Sequence, residues 1–374
     1  MRVAILSLNP FIPNPWTVNA NQLFDFSGGN TGNMAFQFAV TQHIASEYQI
    51  FHPSTEPEVL RERADIIVMP LANQLGQHTD LANLATVLEK AQLPVIGIGL
   101  GAQATDQEQD VTLTEGTERW VRTLAALAPS AGPNIGVRGE YTRQQLEKIG
   151  LGDSAAVMGC PSNFIAPNPN FMESIQHKLG KPFSSIAVTA GIPFLPKLAK
   201  IEQDLADLVT ATHGVYIVQH GVQMVRLGRG DFDLMTDQEL DLSRSYIAPH
   251  LPTEAFKIWC KTYARAYSDV RQWMDELRRY DFAVGTRFHG AMLAVQAGTP
   301  AGCISHDSRV LEMCQTMGIP VIESRSLVGG VTRSRLSDMF PFDGDAYAAK
   351  REALRKAYVR ILEDGGLSIS QRLV

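Results

Sequence analysis

Short runs of β-branched and apolar residues alternate with segments of helical period along almost the whole chain, a pattern that points to a parallel sheet covered by helices. In the first half the strands are expected at Val3–Leu8, Tyr48–Phe51, Asp65–Pro70, Pro94–Gly99, Ile135–Arg138 and Ala155–Gly159. Between them, Leu81, Leu84, Ala85 and Leu88 form one apolar helical stripe, and Asn33–Ile44 predicts a helix behind a glycine-rich entry. The alternation breaks once, at Cys160-Pro161-Ser162-Asn163-Phe164-Ile165-Ala166-Pro167-Asn168-Pro169, whose prolines continue neither a helix nor a central strand.

Beyond the break the pattern restarts. Strands are expected at Ser185–Ala190, Val215–His220, Asp281–Gly285, Ala301–Ser305 and Pro320–Ile322. Helices are expected with Ile201, Leu205, Leu208 and Val209 on one face, with Val270, Trp273, Met274 and Leu277 on another, and over Phe288–Ala297 and Ser308–Met317. The stretch Phe256–Tyr267 fits either a strand or a helix. The chain of 374 residues exceeds what one core of about 250–300 residues holds. We therefore expect an α/β protein of two Rossmann-like doubly wound domains facing a cleft, with bounds 1–165 and 166–342. A last helical segment, 343–374, would cross back to the first domain.

The net charge of −6 gives no general attraction for nucleic acid or anionic lipid, so a negatively charged substrate must be met by local arginines and lysines. Cys160, Cys260, Cys303 and Cys314 are far apart and form no CxxC pair, which predicts buried thiols and neither a disulfide framework nor a zinc site. The apolar run at the amino terminus is too short for a signal peptide, and no stretch approaches the roughly 20 apolar residues that span a bilayer. The cytoplasm is the expected location, with work at the inner face of the membrane if the substrate is lipid-linked.

The most informative segment is Asp281-Phe282-Ala283-Val284-Gly285-Thr286-Arg287-Phe288-His289-Gly290-Ala291. An apolar strand ends at Gly285 and a helix begins near His289 and Gly290, so Arg287 and His289 fall at the carboxyl end of a parallel strand, where open α/β sheets bind ligands. The helix start favours an anion, Arg287 offers a planar fork for carboxylate or phosphate, and His289 can exchange a proton near neutral pH. Equally, Arg287 could pair with a carboxylate and His289 could cap its own helix.

This segment, with Ala297-Gly298-Thr299-Pro300 and Ser305-His306-Asp307-Ser308-Arg309-Val310, resembles the carboxyl-terminal signature of the polysaccharide pyruvyl transferases. Ile135-Gly136-Val137-Arg138-Gly139, Gly97-Ile98-Gly99-Leu100-Gly101 and Gly28-Gly29-Asn30-Thr31-Gly32-Asn33 extend the likeness upstream. The resemblance implies a GT-B-like fold and transfer of pyruvate from phosphoenolpyruvate to a sugar or lipid-linked oligosaccharide as a ketal, without a cofactor. It carries phosphoenolpyruvate binding onto Arg138, Arg287, His289, Gly290 and Arg309, with His289 as general acid or as an imidazolium holding phosphate. Acceptor or cleft positions would be Asn30, Asn33, Gly99, Gln103, His220 and Arg226.

The sequence departs from that pattern in three places. Arg309 stands where lysine is more usual, Cys160-Pro161 where many members have Asp-Pro, and Asn33 where Asp often follows the glycine. Other readings remain. Arg138 could be a surface residue paired with Glu140, and the segment holding Arg226, Arg229, Asp231 and Asp233 could be a solvated polar loop. Gly97 to Gly101 has Gly-x-Gly-x-Gly spacing, not the dinucleotide fingerprint, and His306-Asp307 has no companion cluster at metal-ligand spacing. The alternative functions are a nucleotide-sugar glycosyltransferase of the same architecture and a non-catalytic sugar-phosphate binder.

Overall fold

Two parallel sheets of six strands each account for the alternation. The first contains β1 (Val3–Leu6), β2 (Tyr48–Phe51), β3 (Ile66–Pro70), β4 (Val95–Leu100), β5 (Ile135–Val137) and β6 (Ala155–Val157), in the order β2-β1-β3-β4-β5-β6. The second contains β7 (Ile186–Thr189), β8 (Val215–Ile217), β9 (Ala264–Arg265), β10 (Phe282–Gly285), β11 (Ala301–Ser305) and β12 (Val321–Glu323), in the order β12-β11-β10-β7-β8-β9. Strand order reverses between β1 and β3 in one sheet and between β7 and β10 in the other. In open α/β sheets such switch points are where ligands bind, at the carboxyl ends of the strands. The computed structural model describes residues 1–373 apart from 105, 106, 108, 167–169, 192 and 193, so the later prolines of the expected break lie outside the described residues.

One open reading is settled and one expectation changes. Phe256–Tyr267 is mostly helix, Thr253–Tyr263, because Phe256, Trp259 and Cys260 fall on one buried face, and the chain then enters β9. The segment after Gly221 is no loop: Val222–Arg229 is a helix that buries Met224, Val225 and Leu227, and its charges hide that short stripe in the sequence. This helix holds the amino-terminal helix Ala20–Phe26 against the second sheet. Asp231 accepts from Ala20 N at 2.8 Å, Arg226 Nε donates to Asn21 at 3.0 Å, and Arg229 donates to the Val18 carbonyl at 2.7 Å.

Apolar layers lie on both faces of each sheet, and one layer is continuous across the two halves. It runs from Met34 and Phe38 through Phe164 to Phe288 and Met292, and includes Tyr347, Tyr358 and Ile361 of the long helix Gly344–Asp364. After that helix the chain returns to the first sheet's side, where Ala45 N donates to the Ser368 carbonyl and Ser370 N to that of His43, both at 2.8 Å. No helix among the described residues is long and apolar enough to cross a membrane.

His43 sits inside this shared layer. Its Nε2 lies 3.1 Å from the Phe164 carbonyl and its Nδ1 3.3 Å from the Tyr358 hydroxyl, and burial brings its pKa from 6.5 down to about 4. The folded protein keeps the ring neutral while the unfolded chain takes up a proton below about pH 6.5. The stability this group contributes is therefore complete above pH 6.5, shrinks as pH falls, and is gone below about 4. At roughly 1.4 kcal/mol per pKa unit the loss is on the order of 3 kcal/mol. Urea unfolding at pH 7 and pH 4.5 should show it, and His43→Gln should reduce the difference; an equal difference in both proteins would exclude His43 as the source.

Candidate active site

The expected phosphoenolpyruvate residues come together between the two sheets. Arg138 follows β5 and is buried, with its Nη2 donating to the Leu71 carbonyl at 3.2 Å. Its guanidinium carbon lies 5.7 Å from the centre of the Phe36 ring, and the His289 ring centre is 5.6 Å from that of the same ring. Arg138 is not paired with Glu140, which binds Arg143 at 2.7 Å instead, so the surface-pair reading does not hold. The carboxylate of Glu312, from the second half, is close enough for its charge to act on Arg138.

Arg287 follows β10 and caps nothing with its side chain, so the helix Phe288–Gln296 begins with free N–H groups beside it. Burial, with Arg309 alongside, brings the Arg287 pKa down to about 9. Glu202 supports the turn from below: it accepts from Gly191 N at 2.9 Å, from Tyr216 at 2.6 Å and from Thr286 at 3.4 Å. Burial raises its own pKa. Arg309 stands at the start of the next helix and makes one long contact, 3.5 Å, to Asp307.

His289 is 9% exposed and carries the consequence of this crowding. Burial first, then Arg138, Arg309 and Arg287, hold its pKa well below 6.5, so the ring is neutral at neutral pH. Its Nε2 lies 3.7 Å from the Cys160 sulfur, which in turn accepts from the Ser162 hydroxyl at 3.0 Å. The thiol thus occupies the place beside the histidine. Arg138 Nε, Arg287 Nε and Nη2, and Arg309 Nε are buried and have no hydrogen-bond partner. Buried donors of this kind are costly unless a ligand satisfies them.

Gln219 was not among the expected residues. It follows β8, is 2% exposed, and its Nε2 has no partner. A Cβ on Gly290 would stand 2.8 Å from that nitrogen, and one on Gly32 would stand 2.6 Å from the amide oxygen, so only glycine lets the two helix starts close around it. Thr31 N donates to the Gln219 carbonyl at 2.9 Å, and its buried hydroxyl is also without a partner. In sequence, Gln219 is one more polar residue at a strand end. Glu202 was visible as a charge on the stripe of Leu205 and Val209.

The expected acceptor positions make the following contacts within the fold. Asn33 Nδ2 donates to the Ser27 carbonyl at 3.1 Å, Asn30 accepts from Gly32 N at 2.9 Å, and Gln103 is bonded to Asn73. Gly99, with φ of +84°, forms the bulge between β4 and β5, where a Cβ would stand 3.1 Å from Pro161. Arg226 is taken up by Glu239 at 3.0 Å as well as by Asn21. His220 forms an antiparallel bridge with Asn30 and its Nδ1 donates to the Gly29 carbonyl at 2.9 Å, yet it stays close enough to Arg287 for that charge, after burial, to lower its pKa. Among the described residues, no three His, Cys, Asp or Glu side chains group as a metal site.

The sequence model of the family described as polysaccharide pyruvyl transferase matches residues 30–308. No curated protein matches the chain by sequence. Among solved structures, the S. aureus MnaA–UDP co-structure is similar with a TM-score of 0.50 at 10% identity, covering 97% of each chain. The Methanocaldococcus jannaschii UDP-GlcNAc 2-epimerase in complex with UDP-GlcNAc and UDP gives 0.46 at 11%, covering 97% of this chain and 99% of that one. The first of these likenesses concerns the fold alone, which is GT-B-like.

Proposed function

The chain belongs to the polysaccharide pyruvyl transferase family, and from that premise we propose that it moves the pyruvyl group of phosphoenolpyruvate onto two hydroxyls of a glycan sugar, as a ketal, and releases phosphate. The observation that carries this reading is the convergence of Arg138, Arg287 and Arg309, all with unpartnered guanidinium nitrogens, around His289. Three guanidinium groups with unpartnered nitrogens suit a ligand bearing both a carboxylate and a phosphate.

The chemistry needs a proton on the methylene carbon, which makes the neighbouring carbon electrophilic. One sugar hydroxyl adds there, the bond to the phosphate oxygen breaks with its electron pair leaving on phosphate, and a second hydroxyl closes the ketal. Of the two hydroxyl protons released, one replaces the proton given to carbon and the other leaves with phosphate. His289 is the proton donor in this reading. It is neutral before the donor arrives, and the incoming negative charge offsets the arginines and raises its pKa. The arginines and the free N–H groups of the helix Phe288–Gln296 stabilise departing phosphate.

Purified protein incubated with phosphoenolpyruvate and a glycan panel should release phosphate while the glycan gains the mass of pyruvic acid less water. Phosphate release without that gain would refute transfer. Because the arginines supply the positive charge that phosphate departure needs, the rate should be unchanged by a chelator. Activity lost to chelation and restored by one divalent ion would contradict this.

A further inference from the structure

We propose that the 430 Å³ pocket at the carboxyl ends of β11 and β12 is the acceptor subsite and takes a hydroxyl-bearing sugar ring, an inference that rests on the transfer reading above. The pocket falls within the roughly 300–1,000 Å³ of small-molecule sites. It adjoins the arginine cluster through one loop. Asp307 lines it and contacts Arg309 at 3.5 Å, and Ser308 lines it while its hydroxyl bonds the backbone of Ala104 across the cleft at 2.9 and 3.1 Å.

Its second mark is His306, whose side chain is 3% exposed and whose two ring nitrogens have no hydrogen-bond partner. The Nε2 contact with Asp307, at 3.5 Å, is too long and poorly aligned to count as one. Burial keeps the ring neutral, with a pKa near 4, so one nitrogen donates and the other accepts. That pairing suits neighbouring hydroxyls.

The charges argue against a second anion site. Asp307 already occupies the start of its helix, accepting from Val310 N at 2.8 Å, so a phosphate there would meet a carboxylate. Glu323 pairs with Arg325 at 2.9 Å, and Lys197 reaches only the His306 carbonyl, at 3.4 Å. The remaining polar lining, Gln107 and Ser324 among it, is uncharged. Hydrogen bonds to a neutral polyol are what such a lining provides.

Methyl glucoside, methyl galactoside and methyl mannoside serve as probes, with binding to the full-length protein followed by saturation-transfer NMR and phosphoenolpyruvate affinity followed by calorimetry. Ser324→Trp fills the pocket from a partly exposed position, and His306→Phe removes both ring nitrogens at similar shape. Each variant should bind the best glycoside at least about tenfold more weakly, the worth of one good hydrogen bond, with donor affinity unchanged. Absence of glycoside binding to the wild type, equal binding by Ser324→Trp, or a matching loss of donor affinity would overturn the assignment. Glycoside binding abolished by Ser324→Trp in a protein that transfers nothing from phosphoenolpyruvate would leave the sugar subsite standing and remove the donor reading instead.

Discussion

Replacing His289 by alanine is expected to slow transfer by about 10²- to 10⁴-fold, the usual worth of a positioned acid-base group, in a protein that still folds. The ring lies in the cleft against Phe36 and the Cys160 thiol, and three arginines keep it neutral, so its removal leaves no partner charge unpaired. Its pH behaviour follows with a definite sign. The acid form is the reactive one, so kcat/KM should fall as pH rises through the free protein's pKa, which lies well below 6.5. In the complex the donor's charge raises that pKa, so kcat should hold to higher pH. Donor binding should also take up a proton, visible by calorimetry in two buffers of different ionisation enthalpy. Turnover of His289→Ala at the wild-type rate would remove this residue from the mechanism.

Arg138→Ala is expected to weaken phosphoenolpyruvate binding by about 10- to 100-fold, as loss of a buried charge-assisted hydrogen bond does. In the proposed reading, Arg138 is the contact that the first half offers to a donor held by Arg287 and Arg309 of the second. The two halves share an apolar layer and are also joined by polar contacts such as Glu312 with Thr142 N and Oγ1, at 2.7 and 2.8 Å. Because Arg138 and His289 are buried, donor entry in the proposed reading is expected to require the cleft to open, and binding should favour closure. Small-angle scattering with and without phosphoenolpyruvate should show compaction in the wild type and less of it in Arg138→Ala. Arg138→Lys should recover part of both effects, since a point charge does not reproduce a bidentate fork. Normal donor affinity in a folded Arg138→Ala would end the shared-site model.

Much of this was legible in the sequence because it is local. Strand and helix periodicity needs only neighbouring residues, and it located eleven of the strands in the two sheets; β9, two residues long, was too short to stand apart from the helix before it. The junction Gly285-Thr286-Arg287-Phe288-His289 was legible for the same reason, since a strand end followed by a helix start is written in consecutive residues. The short helix Val222–Arg229 was not, because its arginines face another segment and mask its apolar side.

What the sequence could not supply is proximity. Arg138 and His289 follow strands of different sheets yet both lie against Phe36, Cys160 of the first half lies beside His289 of the second, and Glu312 reaches across to Thr142. The electrostatics follow from that packing. An arginine brought down to about 9 and a histidine held neutral are products of burial and of neighbouring cations, and both require groups from distant parts of the chain to share one desolvated space. Residue types at strand ends were determined by sequence alone; which of them face one another, and therefore which carry unpaired charge, was decided by the way the two sheets pack.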